Sequence, residues 1–201
     1  MNADYLKQNA LGFEGDTFAK QKFQQLCEQF KIHTIYETGT YMGGTTKQLA
    51  TMAKQVHSIE INEANCNKAK LNLQAVDNVN LHFGSSETIL DNLLSAINPK
   101  APTKNNIFCF LDAHWNEYNP LLDELAVIAK HKLKPVIAIH DFKVPNNSTL
   151  GFDTYGKIVY EWSWIASSID AIYGKDKYVI EYNSEATGAK RGIIYIYPKK
   201  K

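Results

Sequence analysis

The sequence has few cysteines and no long apolar run, and each shortage excludes a class of protein. Three of its 201 residues are cysteines, Cys27, Cys66 and Cys109, and no C-x-x-C pair is present. A disulfide framework, a zinc ribbon or a redox dithiol needs more cysteines or closer ones. We therefore interpret the three thiols as reduced packing residues. No apolar run approaches the roughly 20 residues that span a bilayer, so we expect no membrane partner.

Charge and chain-start signals are also weak. The formal net charge is +1, whereas nucleic-acid-binding proteins usually carry a basic face, so we expect no nucleic-acid partner. The start of the chain has an aspartate and an asparagine where a signal peptide would have basic and then apolar residues, so we expect a cytoplasmic protein. Neither a repeat nor a linker interrupts the sequence, and its length suits one α/β domain over residues 1–201.

One strand-turn-helix stretch organises the chain. A β-branched and aromatic run over residues 34–38 contains the acid Glu37 and passes through Gly39 and Gly43 into a helical pattern. Glycine is required where a backbone turns sharply or a ligand lies against it, and a helix N-terminus offers free N–H groups. The G-x-G-x-x-G fingerprint of NAD sites needs a second glycine where this chain has Tyr41. The pattern predicts a nucleotide site that is not an NAD site.

A second acid supports this interpretation. Glu60 ends another strand-like run, residues 56–60, about 20 residues after Gly39. A carboxylate at that strand end can accept hydrogen bonds from both hydroxyls of a ribose that lies across the first turn. The two features together predict an adenosine-containing ligand.

Strand and helix patterns alternate along the rest of the chain. Asp16 and Asn62 are good helix N-caps, and the apolar runs at 107–111 and 135–139 are typical of parallel strands covered on both faces. The other predicted elements are a helix after Asp16, helices over 45–54, 63–76, 88–97, 120–130 and 154–173, strands over 78–83, 177–182 and 192–197, and a loop or lid over 142–152. These patterns predict an α/β fold. It is a doubly wound, seven-stranded, mostly parallel sheet with helices on both faces and a C-terminal antiparallel hairpin.

Polar side chains follow the two central apolar runs where each one ends: Asp112 and His114 after the first, His140 and Asp141 after the second. In open α/β sheets ligands bind beyond the carboxyl ends of the strands, so these side chains should face one crevice together with Glu37 and Glu60. Each one alone is also compatible with a structural role, as a helix cap or a hydrogen-bonded histidine. Their convergence is what indicates a functional site.

At these residues the sequence resembles the class I S-adenosylmethionine-dependent methyltransferases. In that family the acid-glycine motif of the first strand, here residues 37–43, holds the methionine part of the cofactor, and the acid ending the second strand, here Glu60, binds the ribose. The turn after the third strand often contacts adenine, although Ser85 or Ser86 could equally be a helix cap. The resemblance implies S-adenosylmethionine as cofactor. The implied binding residues are Glu37, Gly39, Tyr41, Gly43, Glu60, Ser85, Ser86 and Asp112.

The segments Leu111-Asp112-Ala113-His114 and Ile139-His140-Asp141 look like those of macrocin-type and related sugar or small-molecule O-methyltransferases. In those enzymes acids after the fourth and fifth strands bind a divalent metal, and a histidine near the fourth strand is the base. The resemblance implies His114 and Asp112 as catalytic residues, and Asp112, His140 and Asp141 as metal ligands. His140 stands where a second carboxylate would be expected, which weakens the match to magnesium and shifts the implied metal toward manganese.

The resemblance thus implies methyl transfer from S-adenosylmethionine to a hydroxyl of a sugar or another small molecule. Either His114, as general base, or a bound metal would remove the hydroxyl proton. Aromatic residues could form the floor of the acceptor site, although aromatics are more often core: Trp115, Tyr118, Phe142, Phe152 and Tyr155. A non-catalytic cofactor-binding module and a hydroxylase or NAD-dependent enzyme on a similar fold stay open as alternatives, and so does a homo-oligomer.

Overall fold

The computed structural model describes residues 11–98, 100, 106–114 and 118–199. The described helices are α1 (Thr17–Gln29), α2 (Gly44–Leu49), α3 (Glu63–Asn72), α4 (Ser86–Ser95), α5 (Leu121–Lys130) and α6 (Trp162–Tyr173), and a 3-10 turn at Phe13–Gly15 precedes α1. The described strands are β1 (Thr34–Thr38), β2 (Gln55–Glu60), β3 (Val79–Phe83), β4 (Ile107–Leu111), β5 (Val136–Ile139), β6 (Thr154–Tyr155), β7 (Ile158–Val159), β8 (Tyr178–Tyr182) and β9 (Ile194–Pro198).

Seven of these strands form one sheet in the order β3-β2-β1-β4-β5-β9-β8. Strand β1 pairs in parallel with both β2 and β4, and β5 extends the parallel set beyond β4. Strand β9 is antiparallel to β5 and to β8, so it alone in this sheet runs against the others. The predicted α/β fold, with its mostly parallel sheet and C-terminal antiparallel hairpin, is confirmed.

Helices cover both faces of the sheet because the side chains of the central strands alternate between two apolar layers. In the first layer Phe23 of α1 stacks on Phe108 of β4, with ring centroids 4.8 Å apart. Cys109 and Leu111 of the same strand belong to the opposite layer, together with apolar residues of α4, α5 and α6. Every residue of β4 and β5 is buried, as the continuous apolar runs predicted.

The prediction of one helix over 154–173 is wrong in its first part. Strands β6 and β7 pair there as a short antiparallel ribbon, and α6 begins only at Trp162. Gly156 lies in the turn of the ribbon with a φ of +60°, and the threonine, tyrosine, isoleucine and valine of the two strands favour extended backbone. Apolar spacing alone could not separate this ribbon from the helix that follows it.

Three other helices differ from prediction at their ends. Helix α2 stops at Leu49 rather than at residue 54. In the turn that follows Leu49, two backbone oxygens accept hydrogen bonds of 2.8 and 3.0 Å from the side chain of Asn78. Helix α3 ends at Asn72 rather than at residue 76. Helix α4 begins and ends two residues earlier than the predicted range 88–97. The strand ends that carry the candidate site residues are unaffected.

The loop over 142–152 has no described helix or strand, yet it is anchored. Phe142 and Leu150 are buried, and Gly151 forms an isolated parallel bridge with Arg191. The three cysteines are free, with Cys27 and Cys109 buried. None of the described helices is long and apolar enough to cross a membrane.

The cap of α1 leads to a stability prediction. Asp16 accepts two hydrogen bonds from the first turn of α1, at 2.9 and 3.2 Å, and one of 3.2 Å from the backbone N–H of Thr187, which lies between β8 and β9. Asn62 caps α3 by one bond of 3.0 Å. We expect Asp16→Ala to lower the free energy of unfolding by about 2 kcal/mol and Asn62→Ala by about 1 kcal/mol. Urea denaturation measures both, and equal losses would show that the bond to Thr187 contributes nothing.

Candidate active site

The carboxyl ends of β1, β2, β4 and β5 open into one cavity of about 1260 Å³. Pockets for one drug-sized ligand are about 300–1,000 Å³, so this cavity has room for a cofactor and a second small molecule. The predicted site residues that line it are Gly39, Tyr41, Glu60, Ser86, Asp112, His114 and Asp141. The predicted residues outside the lining are Glu37, Gly43, Ser85 and His140.

Glu60 lies at one end of the cavity, and the local backbone fixes its carboxylate. One oxygen accepts a hydrogen bond of 2.7 Å from the backbone N–H of Tyr41, and the other accepts one of 2.8 Å from that of Asn62. Burial raises the pKa of Glu60, although these amide bonds counteract it. A carboxylate has about four acceptor positions, so this oriented acid can still accept bonds from ligand hydroxyls.

Glu37 lies beneath the cavity. Its side chain is fully buried, and one oxygen accepts hydrogen bonds of 2.5 Å from the hydroxyls of Thr46 and Ser58. The other oxygen has no hydrogen-bond partner among the described residues. Burial raises the pKa of Glu37 to about 8, because desolvation outweighs the two hydroxyl bonds. Glu37 of β1 is therefore hydrogen-bonded to α2 through Thr46 and to β2 through Ser58. It does not line the cavity itself.

The two glycines of the turn are required by the protein itself. Gly39 and Gly43 have φ of +85° and +81°. A Cβ on Gly39 would lie 2.4 Å from the backbone oxygen of Asp112, and one on Gly43 would lie 2.9 Å from the side chain of Leu73. That a ligand also lies against these glycines stays a prediction. They allow the sharp turn to pack against β4 and α3, and Gly39 lines the cavity with its backbone.

The turn after β3 supplies a third wall. Ser85 has the backbone position of a helix N-cap but makes no side-chain cap bond, so the cap role predicted for it is not seen. The backbone N–H of Ser86 donates a 3.0 Å hydrogen bond to the hydroxyl of Tyr118, which in turn donates to Glu87 at 2.9 Å. Ser86 and Tyr118 both line the cavity.

At the other end, Asp112 and His114 after β4 meet His140 and Asp141 after β5. Nε2 of His114 lies 3.5 Å from Oδ1 of Asp112 and 3.2 Å from Oδ2 of Asp141. Nδ1 of His140 lies 3.3 and 3.2 Å from the same two oxygens. These are ion-pair distances, yet neither nitrogen has an aligned hydrogen-bond partner among the described residues. The four side chains lie together as predicted, but His140, like Glu37, does not line the cavity.

Three residues at this end were not predicted. Asp153 accepts from Arg191, and its second oxygen lies 3.2 Å from Nδ1 of His114. Arg191 also donates to Asp141. Glu14, in the turn before α1, lines the same cavity. Asp153 follows the predicted loop over 142–152, and Arg191 precedes β9 in an irregular connection, so neither residue lies in a sequence pattern that predicts a functional role.

Charge balance sets the protonation of this cluster. Burial alone would lower the pKa of His114, but Asp112, Asp141 and Asp153 outweigh it, so the pKa of His114 is raised. The pKa of His140 is also raised well above its usual value by its two carboxylate neighbours, despite burial. In the same way the imidazoles hold the pKa of Asp141 well below its usual value. The carboxylates therefore favour the protonated form of each imidazole, and the imidazoles favour the charged form of Asp141.

The aromatic residues predicted for an acceptor floor have different locations. Tyr155 hydrogen-bonds Nδ1 of His114 through its hydroxyl at 2.6 Å, while Tyr118 lies at the opposite wall beside Ser86. Phe142 is fully buried in the core, and Phe152 is partly exposed below the ammonium of Lys143. Trp115 lies outside the described residues.

The raised pKa of Glu37 predicts a pH-dependent stability. An unfolded glutamate titrates near pH ~4.3, so the folded chain, with a pKa of about 8, binds this proton more tightly. The contribution of Glu37 to the free energy of unfolding is therefore fully present below the pKa of the unfolded chain, and it is lost as the pH rises to about 8. Relative to the wild type, Glu37→Gln should therefore gain stability across this window, by a few kcal/mol at most. Urea denaturation at several pH values tests this, with Glu63→Gln on the exposed first turn of α3 as control. A constant difference between Glu37→Gln and wild type would contradict the burial effect.

Comparisons with known proteins agree with this architecture. No protein-family model matches the chain, and no curated protein matches it in sequence. Solved structures match it in fold. An O-methyltransferase from Bacillus cereus in complex with S-adenosylhomocysteine superposes with a TM-score of 0.62 at 19% identity, over 91% of this chain and 81% of that one. An O-methyltransferase from Streptomyces achromogenes involved in tomaymycin synthesis, in complex with S-adenosylmethionine, gives 0.65 at 15% identity, over 100% and 91%.

A third solved structure also matches in fold. It is an amino pentose methyltransferase from Micromonospora echinaspora with bound S-adenosylmethionine, with a TM-score of 0.51 at 12% identity, over 90% of this chain and 91% of that one. Identities this low show the fold alone. The chain has the fold of the class I S-adenosylmethionine-dependent methyltransferases.

Proposed function

We propose that this protein transfers a methyl group from S-adenosylmethionine to a hydroxyl of a small molecule. The observation that carries the proposal is one cavity with two chemically different ends: an oriented carboxylate, Glu60, at the first, and the cluster around Asp112 and His114 at the second. The O-methyltransferases among the similar structures support the same reaction class.

The nucleotide end suits the cofactor. Glu60 would accept the ribose hydroxyls, and the backbone of Gly39 and Tyr41 would lie along the methionine part. Ser86 and Tyr118 border the cavity at the turn after β3, where the adenine would lie. A sulfonium methyl is already electrophilic, so the main task of the protein is to align sulfur, methyl and nucleophile and to exclude water.

The acceptor end would remove the hydroxyl proton. His114 is the candidate base, because its side chain lines the cavity. Tyr155 and Asp153 fix Nδ1 of its ring, so Nε2 is the nitrogen that faces the carboxyl ends of the strands. Its raised pKa works against this role, since a protonated imidazole cannot accept a proton. A base role for His114 therefore requires another positive charge near the carboxylates.

A divalent cation fits this end. Asp112, His140 and Asp141 each offer a ligand atom, all within 4.8 Å of one another, and the buried Nδ1 of His140 has no hydrogen-bond partner among the described residues. Magnesium or manganese held there would act as a Lewis acid that lowers the pKa of the acceptor hydroxyl. The acceptor would then lie beside Asp112, next to the end of the cavity that would hold the cofactor.

Binding and turnover are separate tests of this proposal. Calorimetric titration should detect S-adenosylmethionine and S-adenosylhomocysteine but not NAD, because the Gly39 turn lacks the second glycine of an NAD site. A screen of sugars and phenols for S-adenosylhomocysteine production then tests transfer. Tight NAD binding without S-adenosylhomocysteine binding would overturn the proposal. Cofactor binding without transfer to any acceptor would favour a non-catalytic binding module.

Glu60 gives the sharpest variant test of cofactor binding. Glu60→Gln should weaken S-adenosylhomocysteine binding about 10- to 100-fold, because charge-assisted bonds to the ribose contribute roughly 1.5–3 kcal/mol. Glu63→Gln should bind like wild type, since Glu63 is exposed in the first turn of α3 and does not line the cavity. Calorimetry measures both affinities, and thermal melting checks that Glu60→Gln keeps its fold after the bond to Tyr41 is weakened. Equal affinities of the two variants would remove the ribose role.

A further inference from the structure

We propose that the acceptor carries a positively charged amino group and that the carboxylate of Glu14 binds this group in the cavity. The inference rests on the proposed function, and it names the class of acceptor: an alcohol, sugar or phenol that also bears an amine. The amino group serves recognition only, because a protonated amine has no lone pair with which to attack the sulfonium methyl.

The turn before α1 brings Glu14 to the cavity, and its backbone is bonded to two other walls. The backbone N–H of Phe13 donates a hydrogen bond of 2.9 Å to the hydroxyl of Thr45 in α2. The backbone oxygen of Glu14 accepts one of 3.3 Å from the N–H of Ala189, between β8 and β9. Glu14, Thr45 and Ala189 all line the cavity. Glu14 is therefore fixed between α2 and the connection from β8 to β9.

Close packing holds this turn in a conformation that residues other than glycine rarely adopt. Phe13 and Glu14 have φ of +47° and +50°. Phe13 is buried in the core, and a Cβ on Gly188 would lie 2.1 Å from the backbone oxygen of Glu14. The position of Glu14 at the cavity is thus set by tertiary contacts on both sides of the turn.

The charges at this end leave one carboxylate without a cation. Four carboxylates line the cavity there: Glu14, Asp112, Asp141 and Asp153. Arg191 and the two imidazoles lie against the three aspartates. Glu14 forms no hydrogen bond or ion pair through its side chain with the described residues. One guanidinium and two protonated imidazoles therefore leave one negative charge in excess, and a divalent cation in place of those two protons leaves the same excess.

Burial disfavours an uncompensated charge at Glu14. It raises the pKa of the Glu14 carboxyl, although the charges of His140 and Arg191 counteract it. A carboxylate in such surroundings is stabilised by a ligand that brings its own positive charge. An ammonium group supplies this charge together with N–H donors for charge-assisted hydrogen bonds.

A second side chain at this end also lacks a partner. His114 lines the cavity, its side chain is 8% exposed, and its Nε2 has no hydrogen-bond partner among the described residues. Buried polar atoms are nearly always hydrogen-bonded. One acceptor with a hydroxyl near His114 and an ammonium group near Glu14 would satisfy both side chains.

Matched pairs of ligands test the charge preference in the wild-type chain. Ligand-detected NMR titration, with and without S-adenosylhomocysteine, compares glucosamine with glucose and tyramine with para-ethylphenol slightly below neutral pH, where both amines are protonated. The ammonium-bearing member of at least one pair should bind at least about tenfold more tightly, because charge-assisted hydrogen bonds are the stronger ones. Equal binding within both pairs, or binding of no member of either pair, would overturn the inference.

A variant assigns the preference to Glu14. Glu14→Gln has nearly the same shape without the charge, and it should reduce the preference to less than about twofold. Glu185→Gln is the matched control and should keep the wild-type preference, because Glu185 is exposed between β8 and β9 and does not line the cavity. Thermal melting checks that both variants fold. A wild-type preference that persists in folded Glu14→Gln would contradict the role of Glu14.

Cofactor titration separates this inference from the proposed function. The affinity for S-adenosylhomocysteine should be the same in Glu14→Gln and wild type. A loss of this affinity in Glu14→Gln would assign Glu14 to the amino group of the cofactor's methionine part and overturn the inference. Methyl transfer without a preference for ammonium-bearing acceptors would refute the inference alone. A Glu14-dependent preference without S-adenosylhomocysteine binding would refute the methyltransferase and keep the amine site.

Discussion

The close packing of the turn at Gly39 against the end of β4 is the constraint on which the site depends. The backbone N–H of Gly39 donates to the oxygen of Ile59 at 2.9 Å, and that of Asp112 donates to Thr38 at 3.1 Å. The end of β1 is thus bonded to both neighbouring strands where the turn begins. No Cβ fits between Gly39 and the backbone of Asp112, so the turn and the end of β4 are in direct backbone contact between the two ends of the cavity. A reaction that must align two bound molecules benefits from such a rigid frame.

Electrostatics divides the acids of the site into two kinds. Glu37 forms no ion pair with the described residues, and burial raises its pKa to about 8. Asp141 is buried beside Arg191 and two imidazoles, and the imidazoles, His140 above all, hold its pKa well below the usual value despite burial. A buried carboxyl group keeps its negative charge only when cations or hydrogen bonds compensate for its lost hydration. A bound ion would supply that positive charge in place of the protons on the imidazoles. Metal binding and a base role for His114 would therefore depend on the same carboxylates.

The sequence predicted the parts of the site that depend on strand ends. Residues 107–111 form β4 as predicted, and the rule that parallel strands end at one edge brought Asp112, His114 and Asp141 into one cavity. It could not predict Asp153 or Arg191, because they come from irregular segments whose path depends on tertiary packing. The short ribbon β6–β7, which follows Asp153 directly, was hidden for the same reason inside a predicted helix.

Local sequence also could not separate acids that face the ligand space from acids that support it. Glu37 and Glu60 both lie at strand ends next to the turn, but only Glu60 lines the cavity. The difference arises from hydroxyl partners on other elements, Thr46 and Ser58, which hold Glu37 inward. The packing that requires glycine at position 39 likewise could not be predicted from local sequence, since the backbone oxygen that would clash with a side chain there belongs to Asp112.

A crystal structure of the protein with S-adenosylhomocysteine tests the proposed site most directly. The ribose hydroxyls should lie within hydrogen-bond distance of Glu60, the adenine beside Ser86, and the sulfur should face Asp112 and His114. S-adenosylhomocysteine bound outside this cavity, or bound in it with the sulfur turned away from Asp112, would contradict the methyltransferase assignment.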